Sequence, residues 1–194
     1  MTTPRILLKS ALLNLAFLIC FAATVAFAAE IAGTKLPDQV TVAGKTLKLN
    51  GTGLRQATFL KFNVYAAGLY VENIAHDGET IANSDGPKSI QMVFLRDVTG
   101  KQMADAFQEG FDKNCTADCG RLKPDLGKVQ GLMKDMKSGE TMAYNFSDHV
   151  DVFIRGQKVG SVGDKAFSQQ LLRIWLGKSP PNPELKSGFL GGKK

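Results

Sequence analysis

Apolar and polar residues alternate along the first half of the chain, as they do in half-buried β-strands. Residues 40–49 alternate on both sides of a turn at Gly44, which predicts a β-hairpin. Residues 59–71 and 89–98 are runs rich in Phe, Val, Leu and Tyr and predict two longer strands. Gly68, inside the first run, indicates a bulge or a close approach of another backbone.

Further along, apolar residues recur every three to four positions, which is typical of amphipathic helices. Thr99 and Gln102 have the spacing of a capping box, so we expect a helix to begin there. A second helix is predicted to begin near Pro124 and to end at Ser138-Gly139.

Strands return before the chain ends in two more helices. Residues 140–146 and 150–154 predict strands, and residues 155–162 a turn into a third short strand. Asp164 is the predicted cap of a helix that ends at Gly177, and Pro183 begins a last short helix. This order of elements predicts an α+β fold in which helices cover one face of an antiparallel sheet.

The first 28 residues have the pattern of a secretory signal peptide. Arg5 and Lys9 precede an uncharged apolar stretch, and Ala26 and Ala28 are the small residues of a cleavage site. The alternative is an uncleaved membrane anchor. Cys20 is not preceded by the small residue of a lipoprotein site. We therefore predict a periplasmic or secreted protein whose single domain is residues 29–194, with no stable membrane insertion after cleavage.

Charge and motifs exclude several classes of function. The chain has a net charge of +6. Without Arg5 and Lys9, 22 basic residues remain against 18 acidic ones, with no long basic block, so nucleic-acid binding is not expected. No phosphate-binding loop, Ser/His/Asp arrangement or HExxH motif is present. His149 and Asp151 are interpreted as a solvated hairpin edge, so neither a metal nor a cofactor is predicted.

Two cysteines follow the leader, Cys115 and Cys119. In an exported protein an even pair favours a disulfide, and a spacing of four residues at a helix end is within disulfide reach. We predict a structural disulfide, with a redox or metal role as the alternative.

One cation stands out in an apolar stretch. Arg55 lies in GTGLR, between a glycine-rich segment interpreted as a turn and the strand that begins near residue 59. It could pair with a carboxylate and stabilise the turn, or it could be free to bind an anionic ligand.

Four segments resemble the bacterial branch of the chalcone isomerase-like family: GTGLR, FLKFNVYAAGLYVE, FLRDVTGKQMADAFQEGF and VGDKAFSQQLLRIWLGKSPPNPELKSGFLG. The resemblance runs from about Leu49 to Leu190. It implies an open-faced β-sandwich, in which a large antiparallel sheet and a layer of helices enclose a cleft. The family includes plant isomerases that close chalcones without a cofactor, and plastid proteins that bind fatty acids.

The resemblance also implies roles for individual residues. Both groups use the arginine that Arg55 matches, and the next motif position, threonine in the isomerases and tyrosine in the fatty-acid binders, falls on Tyr65. Three polar positions of the isomerases correspond here to Met103, Gly110 and Ile174, whose side chains donate no hydrogen bond.

We therefore expect a non-catalytic binder of a small amphiphilic carboxylate such as a fatty acid. Arg55 and Tyr65 would bind the carboxylate, and the tail would lie against Met103, Phe107 and Ile174. Two alternatives remain open: a chalcone isomerase-type enzyme with weak or different activity, and a helper that binds a partner protein.

Overall fold

The structure is a computed structural model that describes residues 27–57 and 60–192. The predicted leader, residues 1–28, therefore lies outside the described residues except at its last two positions, where the first strand begins. The strands are β1 Phe27–Ile31, β2 Thr34–Pro37, β3 Gln39–Val42, β4 Lys45–Ala57, β5 Phe62–Val71, β6 Lys88–Phe94, β7 Thr141–Phe146, β8 Val150–Ile154 and β9 Gln157–Val162. The helices are α1 Gly78–Asn83, α2 Gly100–Asn114, α3 Cys119–Gly131, α4 Lys165–Leu176 and α5 Pro183–Phe189.

Seven strands form one antiparallel sheet in the simple order β3-β4-β5-β6-β7-β8-β9. Each strand pairs with its neighbour in sequence, because short turns or a helical excursion connect antiparallel partners. The helices pack on one face of this sheet and enclose the main core, which confirms the predicted α+β fold. The β1–β2 hairpin packs on part of the other face through Ile31, Leu36 and Ala66.

The predicted caps are present in the structure. The Thr99 side chain accepts from the Gln102 backbone N–H, and the Gln102 side chain accepts in turn from the Thr99 N–H, which begins α2. The Asp164 side chain accepts from the Phe167 N–H at the start of α4. These contacts are local in sequence, which is why spacing alone predicted them.

The prediction for α3 was wrong at both ends. The helix begins at Cys119, so Pro124 lies inside it, and it ends at Gly131, well before Ser138. Leu122 is fully buried and extends the apolar stripe one turn towards the amino terminus. Met136 is buried in a non-helical segment, where its backbone N–H donates to the Val98 carbonyl at 2.8 Å.

The disulfide prediction is confirmed at this junction, where Cys115, the residue after α2, is linked to Cys119, the first residue of α3. The two Cα atoms are 5.9 Å apart.

The glycine-rich segment before Arg55 is not a turn but the second half of strand β4, and this corrects the sequence interpretation. Gly51 and Gly53 face α5, whose backbone lies directly on them. A Cβ atom at Gly53 would come within 2.7 Å of the Leu185 carbonyl oxygen, and one at Gly51 would overlap the Gly188 carbonyl. The glycines are needed because a helix approaches the strand this closely.

The two long strands are shorter than predicted. β5 begins at Phe62 and β6 ends at Phe94, four residues before the predicted end. Gly68 has no bulge at its own position, but its neighbours approach closely, since a Cβ atom there would lie 2.9 Å from Leu49 Cδ1. Among the helices of the described residues, none is both long and apolar enough to cross a bilayer.

Candidate ligand cavity

Arg55 lies on the helix-facing side of β4, two residues beyond the glycines that α5 covers. Its register partner on β5 is Tyr65. The Asn182 side chain, just before α5, accepts from the Gln56 backbone N–H at 3.2 Å and so holds the end of the helix beside the strand. Arg55 therefore emerges just past the amino-terminal end of α5, where the helix layer no longer covers the sheet.

The Arg55 guanidinium has no carboxylate partner within 4.0 Å among the described residues, which include every Asp and Glu of the chain. The half-buried side chain donates to the Gln56 carbonyl. A hydrogen bond from Lys113 is the main cause that lowers the pKa of Glu109, and the charge of Arg55 adds a smaller effect in the same direction. The Arg55 cation is therefore left largely free to pair with a ligand.

The hydroxyl of Tyr65 is oriented by a tryptophan. Trp175 Nε1 donates to Tyr65 Oη at 3.0 Å, so the oxygen acts as acceptor in that bond and its own proton can be donated elsewhere. Burial raises the pKa of Tyr65 to about 12, partly offset by the Trp175 hydrogen bond and the charge of Arg55. Tyr65 thus stays protonated at neutral pH and is a second donor beside the guanidinium.

A cavity of about 450 Å³ opens between the sheet and the helices at this point. Charged and polar side chains lie at one end, and the other end is apolar. The lining residues that the argument uses are Arg55, Tyr65, Met92, Arg96, Met103, Phe107, Glu109, Gly110, Lys113, Met142, Tyr144, Ile174, Trp175, Pro180 and Pro181.

All five residues predicted to contact a ligand line this single cavity. Met103, Phe107 and Ile174 are buried on α2 and α4. Gly110 lets these helices approach, since a Cβ atom there would lie 2.8 Å from Ile174 Cγ2. The structure thus brings the five side chains together, and their role in binding stays a prediction.

The apolar end of the cavity is built from packed aromatic rings. The Phe107 ring centroid lies 5.3 Å from that of Tyr144 and 5.5 Å from that of Trp175. The Tyr144 hydroxyl lies 2.9 Å from Met142 Sδ, which leaves it without a strong polar partner. Such interlocked rings form a preformed apolar wall.

Sequence reasoning missed the residues that the sheet and the last loop bring to the cavity. Trp175, Met92, Met142 and Tyr144 come from distant parts of the chain and meet only through sheet register and helix packing. Pro180 and Pro181, in the loop after α4, also line the cavity. The single tryptophan of the chain, in the apolar stripe predicted for α4, was the one available signal, because a buried indole N–H needs an acceptor.

Within residues 27–57 and 60–192, no three His, Cys, Asp or Glu side chains gather as metal ligands. His149 Nε2 lies 3.0 Å from Asp151 Oδ1, and Lys158 Nζ lies 2.7 Å from the same oxygen. This is an ion-pair cluster at the sheet edge, away from the cavity.

The cavity thus combines a cation and a phenolic donor with an apolar wall. Residues 28–191 match the model of a family described as "Chalcone isomerase-like". The chain therefore belongs to the chalcone isomerase-like family. No curated protein matches the chain in sequence.

The fold is also that of a plant protein of known structure. The crystal structure of a fatty-acid binding protein from Arabidopsis thaliana matches with a TM-score of 0.67 and 18% sequence identity. The match covers 81% of this chain and 92% of the plant protein. At this identity the similarity establishes the fold.

Proposed function

We propose that the protein is a non-catalytic binder of a small amphiphilic carboxylate such as a fatty acid. The observation that carries the proposal is the Arg55 guanidinium, which has no carboxylate partner in the part of the chain that the structure describes and lies beside the donor hydroxyl of Tyr65 at the polar end of an apolar cavity. A carboxylate would accept two parallel hydrogen bonds from Arg55 and a third from Tyr65. The Arabidopsis thaliana protein shows that a fatty-acid binding protein can have this fold.

The size and lining of the cavity suit a medium-length acyl chain. Its volume of about 450 Å³ lies within the range of small-molecule sites. Burying about ten methylenes contributes roughly 8 kcal/mol of transfer free energy, against an association cost of at least about 4 kcal/mol. Together with the charge-assisted bonds, this gives an expected dissociation constant near micromolar.

Catalysis of the chalcone isomerase type is disfavoured by the same side chains. Met103, Gly110 and Ile174 offer no hydrogen-bond donor where the resemblance implies polar residues in the isomerases. Losing one donor to a developing oxyanion costs about 100-fold in rate or more. Tyr65, with a pKa raised to about 12, is also far from the range that suits a general acid or base at neutral pH.

The proposal also includes export of the protein from the cytoplasm. A leader of residues 1–28 would carry the protein out of the cytoplasm. The disulfide between Cys115 and Cys119 supports an oxidising compartment such as the periplasm.

Native mass spectrometry of the purified protein, followed by titration with laurate, tests the binding proposal. We expect a co-purified or added fatty acid on the wild-type protein. Arg55→Gln should weaken laurate binding by about 30-fold, since a hydrogen bond to a charged group contributes about 2 kcal/mol. The matched control is Arg121→Gln, which removes the same charge from an exposed ion pair with Asp164 and should leave the affinity within about 2-fold.

Three results would redirect the assignment. Equal laurate affinity in wild type and Arg55→Gln would refute the role of Arg55. Turnover of a chalcone would favour the isomerase. Failure to bind any amphiphile, together with a specific protein partner, would favour the helper.

A further inference from the structure

Two large apolar side chains are exposed where β5 begins. Leu60 is 58% exposed and Phe62 is 49% exposed, which places both among the most exposed large apolar residues of the described chain. Two basic residues accompany them: Lys61 lies between the two in sequence, and Arg96 lies just beyond the end of the neighbouring strand β6. We call Leu60, Lys61, Phe62 and Arg96 the rim patch.

The rim patch lies at the mouth of the cavity. Arg96 lines the cavity, and its guanidinium carbon lies 5.4 Å from the centre of the Phe62 ring. Val64, two residues after Phe62, also lines the cavity. Lys61 Nζ lies 3.7 Å from Glu184 Oε1, in the first turn of the helix that follows the Pro180-Pro181 wall. Leu60 and Phe62 themselves are not among the residues that line the cavity.

The charges around the two apolar residues favour an anionic surface. Arg96 has no carboxylate within ion-pair distance among the described residues, and its neighbour Asp97 pairs with Lys137 at 2.7 Å. Lys61 and Glu184 are both about two thirds exposed, so their pairing is weak and easily exchanged. Apolar side chains bracketed by basic ones are the composition that binds the interface of anionic bilayers.

We propose that the rim patch docks the protein on an anionic phospholipid surface, with Leu60 and Phe62 entering the headgroup region and Lys61 and Arg96 contacting lipid phosphates. The docking proposal deepens the proposed function and rests on it, because docking would let an amphiphile pass between the bilayer and the cavity without crossing water. A lipid surface fits better than a second copy of the chain. Two side chains bury far less than the roughly 1,000 Å² that a stable protein interface needs, and two copies would bring like charges together.

Co-sedimentation with vesicles of phosphatidylcholine, with and without phosphatidylglycerol, tests the proposal. We expect the wild-type protein to bind the vesicles that contain phosphatidylglycerol. The double variant Leu60→Ser/Phe62→Ser should bind them at least about 10-fold more weakly, because insertion strength follows buried apolar area. Lys61→Gln should weaken binding about 3-fold, and the wild-type affinity should fall as salt rises.

The matched control is the double variant Ile74→Ser/Val159→Ser. Ile74 and Val159 are exposed to 48% and 38%, and neither lines the cavity. This variant should bind vesicles like the wild type. Equal loss in both double variants, or no vesicle binding by the wild type, would overturn the proposal. A dimer in sedimentation velocity that Leu60→Ser/Phe62→Ser abolishes would overturn it in favour of a second copy.

Laurate titration without vesicles separates this proposal from the proposed function. Both double variants should keep wild-type laurate affinity, since none of the four residues lines the cavity. Vesicle binding without laurate binding would refute the carboxylate proposal alone. Laurate binding without any effect of the rim patch on vesicle binding would refute the docking proposal alone.

Discussion

Two arginines, Arg55 and Arg173, each interrupt an apolar stretch of the sequence, but their contacts in the structure differ. Arg173, on α4, is only 5% exposed, and its Nη2 donates to Glu79 at 2.8 Å and to Asn83 at 3.0 Å. Its Nε donates to Thr116 Oγ1 at 3.3 Å. Arg55, on β4, is half-buried and donates to one neighbouring backbone carbonyl.

The difference separates a structural cation from one that is available to a ligand. A buried charge must have partners, and Arg173, on α4, finds them in α1 and in the α2–α3 connection, although its buried Nη1 has none among the described residues. Arg55 lacks a carboxylate and borders a cavity, so part of its hydrogen-bonding capacity is unused in the folded chain. Removing Arg173 should therefore affect stability, whereas removing Arg55 should affect binding.

The largest expected effect is that of Arg173→Gln on stability. The shorter neutral side chain cannot reach all three partners, and we expect the free energy of unfolding to fall by about 3 kcal/mol. Urea unfolding measures this loss, and Arg55→Gln is the comparison, with an expected change below about 0.5 kcal/mol. Laurate affinity of folded Arg173→Gln should stay within about 2-fold of wild type. A larger stability loss in Arg55→Gln than in Arg173→Gln would reverse the assignment of the two arginines.

A smaller effect is expected from Tyr65→Phe on ligand binding. The change removes the second donor of the polar end, and laurate should bind about 5-fold more weakly, since a neutral hydrogen bond contributes about 1 kcal/mol. It also leaves the Trp175 N–H without its acceptor, which should lower the free energy of unfolding by about 1 kcal/mol. Isothermal titration and urea unfolding separate the two effects.

Tyr144→Phe is the control for Tyr65→Phe, because Tyr144 lines the same cavity and its hydroxyl contacts methionine sulfur. We expect laurate affinity within about 2-fold of wild type, since little hydrogen bonding is lost. If the two variants weaken binding equally, Tyr65 is not the specific donor.

The smallest effect concerns a second buried cation, Lys88. Its ammonium group donates to the Ser84 carbonyl. Burial lowers its pKa to about 8 from an ordinary 10.5. The negative charges of Asp85 and Glu72 partly offset this effect, whereas the positive charge of Lys165 adds to it. Between pH 8 and 10.5 the unfolded chain binds more protons than the folded one at this site, so the site makes stability rise with pH.

Replacing Lys88 with methionine should remove this pH dependence. Between pH 8 and 10, the free energy of unfolding of the wild type should rise by about 1 kcal/mol relative to that of Lys88→Met, as measured by urea unfolding. Lys137→Met is the control: Asp97 raises the pKa of Lys137, so its contribution should not change in that window. A constant difference between wild type and Lys88→Met across the window would contradict the lowered pKa.

The comparison of the two arginines also shows what the sequence could reveal. The hairpin at Gly44 and the caps at Thr99 and Asp164 were predictable because each depends on residues a few positions apart. Arg55 was noticed because it interrupts an apolar run. Arg173 interrupts one equally in LLRIWL and was overlooked, and its partners Glu79 and Thr116 lie far away in the chain.

Long-range contacts explain the remaining errors. Gly51 and Gly53 looked like a turn, since nothing near them in sequence shows that α5, more than 130 residues later, lies on them. The start of α3 was misplaced because Pro124 was taken as a first-turn residue, whereas the buried Leu122 fixes an earlier start. The cavity wall from β6, β7 and the Pro180-Pro181 segment depends on register and packing in the same way.

The central claim is that the Arg55 guanidinium, which has no carboxylate partner among the described residues, selects a carboxylate for the apolar cavity that it lines. Its most direct test is titration of the wild-type protein with laurate, methyl laurate and dodecanol at neutral pH, which keeps the tail constant and changes the head group. The account predicts that laurate binds about 30-fold more tightly than the other two, and that the three become nearly equal in Arg55→Gln. Equal affinity of the wild-type protein for laurate and dodecanol would contradict it.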